Sequence, residues 1–117
     1  MNINNEQATC NLQIIKGDTF RYSWKFLATS LEGYRVVSQW RDLLGDVAIT
    51  CDSTANPKTM LITSGTNSTI TPVITAEQTA SLDGTYYYDI QIMAPDGTVM
   101  TPIKGTIGIA PDVTRLS

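Results

Sequence analysis

Alternation of apolar and polar side chains is the main signal in this chain, and it is clearest over residues 84–109. Two stretches with a two-residue period flank Pro95-Asp96-Gly97, a turn in which proline presets φ and glycine accepts a positive φ. A two-residue period places alternate side chains on opposite faces of a strand. The pattern predicts a long hairpin with these side chains on its buried face: Tyr86, Tyr88, Ile90, Ile92, Val99, Thr101, Ile103, Ile107 and Ile109.

A second alternating stretch covers residues 19–28 and carries aromatic rings on one face. The rings are Phe20, Tyr22, Trp24 and Phe26. Such a face serves either as a carbohydrate platform or as a wall of the core. The core is the favoured interpretation for a small β domain, because aromatic rings supply much of the apolar surface that it can bury.

Shorter apolar runs, separated by turn residues, predict strands over 10–15, 34–41, 47–51, 59–63 and 68–75. Proline has no amide hydrogen for a sheet, so Pro72 and Pro102 predict edge or bulged strands. Gly105 and Gly108 are likewise explained by bulges.

One short helical turn is predicted after Thr75, which is a good N-cap and has Gln78 three residues later to complete a capping box. The elements together predict an all-β chain, an immunoglobulin-like antiparallel β-sandwich of about seven strands. We expect one domain over 10–110, between a flexible N-terminal arm over 1–9 and a C-terminal tail over 111–117.

Composition narrows the classes of partner. Charged residues make up 16% of the chain and the net charge is −3, and the basic residues are scattered, so we expect no nucleic-acid partner. We also expect no membrane partner, because no apolar run approaches the roughly 20 residues of a spanning helix. The N-terminus does not resemble a signal peptide, which predicts a protein made and kept in a cytosol.

The residues needed for catalysis are sparse. The chain contains no histidine, which removes the commonest general base and metal ligand. Cys10 and Cys51 have neither zinc nor redox spacing, and we expect buried thiols. Asp83, Asp89 and Asp96 are the candidates for a calcium site, although aspartate is common at turns in any case. We predict no enzyme activity, no cofactor and no metal site.

Three segments carry a resemblance to a known family. They are Lys16-Gly-Asp-Thr-Phe20, the hairpin segment Tyr86-Tyr-Tyr-Asp-Ile-Gln-Ile92 with its Asp-Gly turn, and Pro111-Asp-Val-Thr-Arg115. Through them, residues 12–28 and 74–115 resemble small bacteriophage virion-associated proteins with the immunoglobulin-like fold of the N-terminal domain of phage baseplate upper proteins. Residues 42–68 depart from that pattern in loop length. The motifs are structural and contain no catalytic residue to carry over.

The resemblance implies a structural virion protein of the tail, neck or baseplate that acts through protein–protein contacts. Its partners would be other virion proteins or further copies of itself, and it would occupy the host cytoplasm during assembly. Candidate contact residues lie in the termini and on the outer face of the hairpin: Met1, Asn2, Ile3, Asn4, Asn5, Tyr87, Asp89, Asp112 and Arg115.

Three alternatives stay open at the level of sequence. The first is a capsid decoration protein, which the resemblance does not separate from a tail protein. The second is a carbohydrate- or host-surface-binding module that uses an exposed aromatic ring, with Tyr34, Trp40 and Tyr87 as candidates. The third is a small inhibitor of a host defence protein, which is compatible with an acidic domain that lacks catalytic groups.

Overall fold

The computed structural model describes residues 7–113, which form nine strands and one helix arranged as a β-sandwich of two sheets. The all-β class predicted from the alternation is confirmed. In chain order the elements are β1 (Ala8–Thr9), β2 (Leu12–Ile15), β3 (Trp24–Phe26), β4 (Arg35–Arg41), β5 (Val47–Asp52), β6 (Met60–Thr63), β7 (Ser68–Pro72), α1 (Ala76–Ala80), β8 (Gly84–Met93) and β9 (Val99–Ala110).

The predicted hairpin lies inside the larger sheet. The order of that sheet is β1-β9-β8-β4-β5, with β2 also paired to β9, and the smaller sheet has the order β3-β7-β6. The named strands pair antiparallel except that β1 and β2 run parallel to β9. Residues 8 and 9, which the sequence assigned to the N-terminal arm, therefore form a strand, and residues 1–6 lie outside the described part of the chain.

The buried face of β8 is the predicted one: Tyr86, Tyr88, Ile90 and Ile92 all lie in the core. The alternation predicted for β9 is wrong at its start, where Val99 is 56% exposed. The register shifts by one between Ile90 and Ile92, so that the extra residue falls in β9 at 101–102. Before this bulge, the side chains of β9 therefore lie on the opposite faces from those that the alternation predicts.

The aromatic segment is a wall of the core, but little of it is strand. Phe20, Trp24 and Phe26 are buried, whereas Tyr22 is 39% exposed, contrary to the alternation. Only Trp24–Phe26 pairs with β7, and residues 20–23 run beside the sheet without joining it. Tyr22 therefore lies outside the strand, where side chains need not alternate between two faces.

Both prolines in strands occupy positions where no amide is needed. Pro102 lies at the bulge in β9, as predicted. The prediction of an edge strand at Pro72 is wrong, since β7 is the middle strand of its sheet. Val73 N donates to Thr59 O on the β6 side, so the nitrogen of Pro72 faces the β3 side, where pairing has already ended at Ile70.

The capping box of α1 is confirmed: the Thr75 hydroxyl accepts from Gln78 N, and the Gln78 side chain accepts from Thr75 N. Thr79 is fully buried, and its hydroxyl donates to Asp18 O at 2.6 Å. The short helix thus closes one end of the sandwich over the segment that enters the aromatic wall.

The chain turns toward the core where it passes from β1 to β2. The hydroxyl of Tyr88 donates to the carbonyl of Cys10 at 2.6 Å. The carboxamide oxygen of Asn11 accepts from Thr106 N at 3.0 Å, so a side chain supplies the acceptor for this amide of β9. A Cβ at position 105 would overlap the Cys10 carbonyl. Gly105 is therefore required by a close backbone approach between neighbouring strands.

We predict that Gly105→Ala lowers the free energy of unfolding by about 1–3 kcal/mol, because the Cys10 carbonyl must move away from Tyr88. Gly108→Ala is the matched control on the same strand, since its Cβ would lie 4.0 Å from Leu12 O. It should change stability by less than about 1 kcal/mol. Urea denaturation of both variants measures the difference, and equal costs would contradict this account of position 105.

An ion pair ties β4 to the end of β5. Arg35 Nη2 lies 2.6 Å from Asp52 Oδ2, and Arg35 Nε lies 3.2 Å from Oδ1. Thr54 also donates to this carboxylate. The hydrogen bonds from Arg35, followed by those from Thr54, hold the pKa of Asp52 well below its usual value of 3.8.

We predict that protonation of Asp52 in acid lowers the free energy of unfolding. Its pKa is lower in the folded state, so its stabilising contribution is complete above about pH 4 and falls as the pH drops toward the folded pKa. The gap in melting temperature between the natural chain and Asp52→Asn should therefore narrow from about pH 6 to about pH 2. Asp83→Asn is the control, because the Asp83 side chain is 83% exposed in its pair with Lys16 and that of Asp52 is 18% exposed. A constant gap for Asp52→Asn would contradict the prediction.

Candidate functional site

The carboxylates considered for a calcium site serve other roles. Asp83 pairs with Lys16 at 2.7 Å, and Asp96 accepts from Thr98 N at 2.9 Å within the hairpin turn. Within residues 7–113, no three His, Cys, Asp or Glu side chains lie together as metal ligands would.

The two thiols are free but poorly placed to react. Cys51 is buried, and burial raises its pKa to about 11, so the thiolate is scarce at neutral pH. Cys10 is partly buried and its sulfur lies 3.8 Å from the Tyr22 hydroxyl. Neither environment supplies the cationic partner that activates a cysteine nucleophile.

A concave feature, here called the outer groove, lies on the solvent face of the larger sheet. Its volume is about 670 Å³, which falls within the usual range for small-molecule sites. Strands β4, β8 and β9 form its floor, and the segment 7–11 forms one side.

Strand register arranges the groove as three rows of side chains across the sheet, one of which pairs Val37 with Gln91. Arg41, Tyr87 and Thr106 are cross-strand partners in the first row. The second row contains Gln39, Asp89, Lys104 and Thr9, in that order. Rows on one face are about 7 Å apart and neighbouring strands about 5 Å apart. The groove therefore presents closely spaced polar groups around one aromatic ring.

Two of the contact residues expected from sequence meet in this groove. Tyr87 is 56% exposed and Asp89 is half-buried beside it. Asp112 lies past the end of β9 and does not line the groove. The other candidates, which are Met1, Asn2, Ile3, Asn4, Asn5 and Arg115, lie outside the described residues.

The structure adds groove residues that sequence reasoning did not select, including Gln7, Asn11, Gln39, Arg41 and Gln91. Gln39, Arg41 and Gln91 occupy the outward positions of their strands, which the alternation identified. Their proximity depends on strand order and register, neither of which the alternation supplies.

The expectation that Trp40 could serve as an exposed binding ring is wrong. Trp40 is 1% exposed, and its ring packs edge-on against Phe20 with centroids 5.3 Å apart. Tyr34 is partly buried against the core. Of the three rings considered, Tyr87 alone lies in the outer groove.

A second surface feature, here called the apolar tip, is the turn between β4 and β5. Leu43 and Leu44 are 68% and 88% exposed, and Val47 next to them is 44% exposed. The turn is well fixed: the Asp42 carboxylate accepts from the amides of Leu44 and Asp46, at 2.9 and 3.0 Å. Two large apolar side chains thus stand in water on an ordered loop.

The apolar tip adjoins an open sheet edge. Within residues 7–113, β5 pairs with β4 alone. Asp52 N turns away from β4 and donates to Thr59 Oγ1 at 2.8 Å, so the backbone of Thr50, two residues earlier, faces the same way. An open edge can accept a strand from another chain.

Comparison with models of known protein families and with curated proteins finds no match to this chain. Among the described residues, no helix has the length and apolar character needed to cross a membrane.

We predict that Cys51 resists thiol reagents until the protein unfolds, because it is buried and has a raised pKa. A Cys10→Ser variant leaves Cys51 as the remaining thiol for labelling at about pH 8. Labelling should be slow in buffer and fast in denaturant. Fast labelling of the folded variant would contradict the assignment of Cys51 to the core.

Proposed function

We propose that this protein is a structural component of a bacteriophage particle, associated with the tail, neck or baseplate, and that it acts through protein–protein contacts. The observation that carries the contact role is the apolar tip beside the open edge of β5. The phage setting draws its support from the resemblance of residues 12–28 and 74–115 described above.

The apolar tip has the properties of an anchor for a partner protein. Exposed leucines on an ordered turn keep apolar area in water, and covering that area with a partner is favourable. The turn is already fixed by Asp42 and by the Arg41 side chain, which donates to Gly45 O at 2.8 Å. Little conformational entropy is therefore lost when a partner covers the leucines.

The edge of β5 supplies a complementary kind of contact. Backbone groups facing away from β4 can pair with a strand of a neighbouring subunit, and such pairing adds directional hydrogen bonds to an apolar contact. The neighbour is another virion protein or a second copy of this chain. The terminal candidates, Met1 to Asn5 and Arg115, remain predictions as further contacts.

The first test is quantitative mass spectrometry of purified particles, with copies of this chain counted against the major capsid protein. Tail, neck and baseplate parts follow low-order symmetry, so we expect on the order of a few to a few tens of copies per particle. On the order of hundreds would instead make it a capsid decoration protein. Absence from the particle would overturn the structural role.

We predict that Leu43→Ser with Leu44→Ser lowers the copy number in particles, because the apolar contact at the tip is lost. Val99→Ser is the matched control, since Val99 is exposed and lies away from the β4–β5 turn. Both proteins should keep the natural melting temperature to within a few degrees, as expected for exposed positions. Incorporation of the double variant at the natural copy number would remove the tip from the contact.

A further inference from the structure

We propose that the outer groove is a binding site for a neutral oligosaccharide, with Tyr87 as the stacking ring. This site lies on the solvent face of β4, β8 and β9, and it does not depend on the apolar tip or on the virion role. The inference rests on the exposed ring, on the unpaired ends of the surrounding carboxamide side chains and on the lack of a basic cluster among the described lining residues.

The ring of Tyr87 is held in a position suited to stacking. It stands on β8, whose neighbours on both sides are hydrogen-bonded strands, so its backbone is rigid. Its cross-strand partners are Arg41 and Thr106, and 56% of the residue remains exposed. A sugar ring offers an apolar C–H face of similar width, whose burial against an aromatic ring is favourable.

Three carboxamides that line the groove each have one end fixed by the protein, those of Asn11 and Gln39 close to the Tyr87 row and that of Gln7 farther along it. Asn11 Oδ1 accepts from Thr106 N, Gln39 Oε1 accepts from Arg41, and Gln7 Nε2 donates to Thr101 O. The opposite ends of these side chains have no partner among residues 7–113. The groove thus offers two amino donors and one carbonyl acceptor on side chains that are already oriented. Alternating donors and acceptors match sugar hydroxyl groups, which do both.

The charges in the groove favour a neutral ligand. Asp89 and Lys104 are direct cross-strand partners, so their fields largely cancel. The Arg41 guanidinium donates to Gly45 O and Gln39 Oε1. Both acceptors are neutral, so Arg41 keeps its positive charge, but one uncompensated cation is not the basic cluster that phosphate needs. Asp89 can still accept hydrogen bonds from adjacent hydroxyl groups.

A protein partner fits this groove less well than a glycan does. Three charged residues, Arg41, Asp89 and Lys104, line the groove, whereas the centres of protein interfaces are depleted of charged groups. The exposed leucines that suit a protein contact lie at the apolar tip instead. The width across β4, β8, β9 and β1, roughly 14 Å for three strand spacings, accommodates more than one sugar ring.

The test is titration of the full ¹⁵N-labelled chain with four probes: maltohexaose, cellohexaose, chitohexaose and laminarihexaose. We expect at least one of them, at micromolar to millimolar concentration, to shift the amide signals of Tyr87, Asp89, Gln91 and Lys104. Tyr87→Ala should lower the affinity for that probe by roughly tenfold or more. Tyr87→Phe should retain most of the affinity because the ring remains. Leu61→Ala, at an exposed position of the other sheet, is the control and should bind normally.

The outcomes separate the alternatives. Dispersed spectra establish that each variant is folded, so a loss of binding in Tyr87→Ala reports on the groove. If none of the four probes shifts the groove amides, or if Tyr87→Ala binds as well as the natural chain, the proposal is overturned. If Tyr87→Ala binds the glycan as well as the natural chain does but is no longer incorporated into particles, the groove is a protein contact instead.

Discussion

The hydrogen bond from the Tyr88 hydroxyl to the Cys10 carbonyl fixes the most demanding junction of this fold. It joins the middle of β8 to the chain between β1 and β2, across the glycine at position 105. The Tyr88 side chain is buried, so its hydroxyl must find a partner, and the Cys10 carbonyl provides one. Burial, followed by the interaction with the Cys10 thiol, raises the pKa of Tyr88 well above its ordinary value. The hydroxyl therefore stays a donor throughout the physiological range.

This junction also shapes the outer groove. Because the Cys10 carbonyl turns toward the core, the side chain of Asn11 replaces it as the acceptor for Thr106 N. The segment 7–11 then forms one wall of the groove. The Asn11 carboxamide lies at the row that contains Tyr87, and the Gln7 carboxamide lies farther along the groove, where it donates to Thr101 O. A buried polar contact on one face of the sheet thereby positions polar groups on the other.

The two surface features divide the functional roles by chemistry. The apolar tip combines exposed leucines with an open strand edge, and such surfaces are stabilised when another protein covers them. The outer groove combines one exposed ring with oriented polar groups and has no basic cluster among its described lining residues, which suits a ligand rich in hydroxyl groups. They lie on different parts of the larger sheet, so a single domain can carry both contacts.

The elements with strong local signals follow directly from the sequence. The alternation around Tyr88, the turn at Gly97 and the capping box at Thr75 act over a few residues, and local geometry is enough to specify them. Strand order and register in the folded chain make β7 a middle strand, expose Val99 through the bulge at 101–102, and bring Tyr87 and Asn11 into one groove. These outcomes depend on register and on contacts between residues far apart in the chain, which a local two-residue period does not encode.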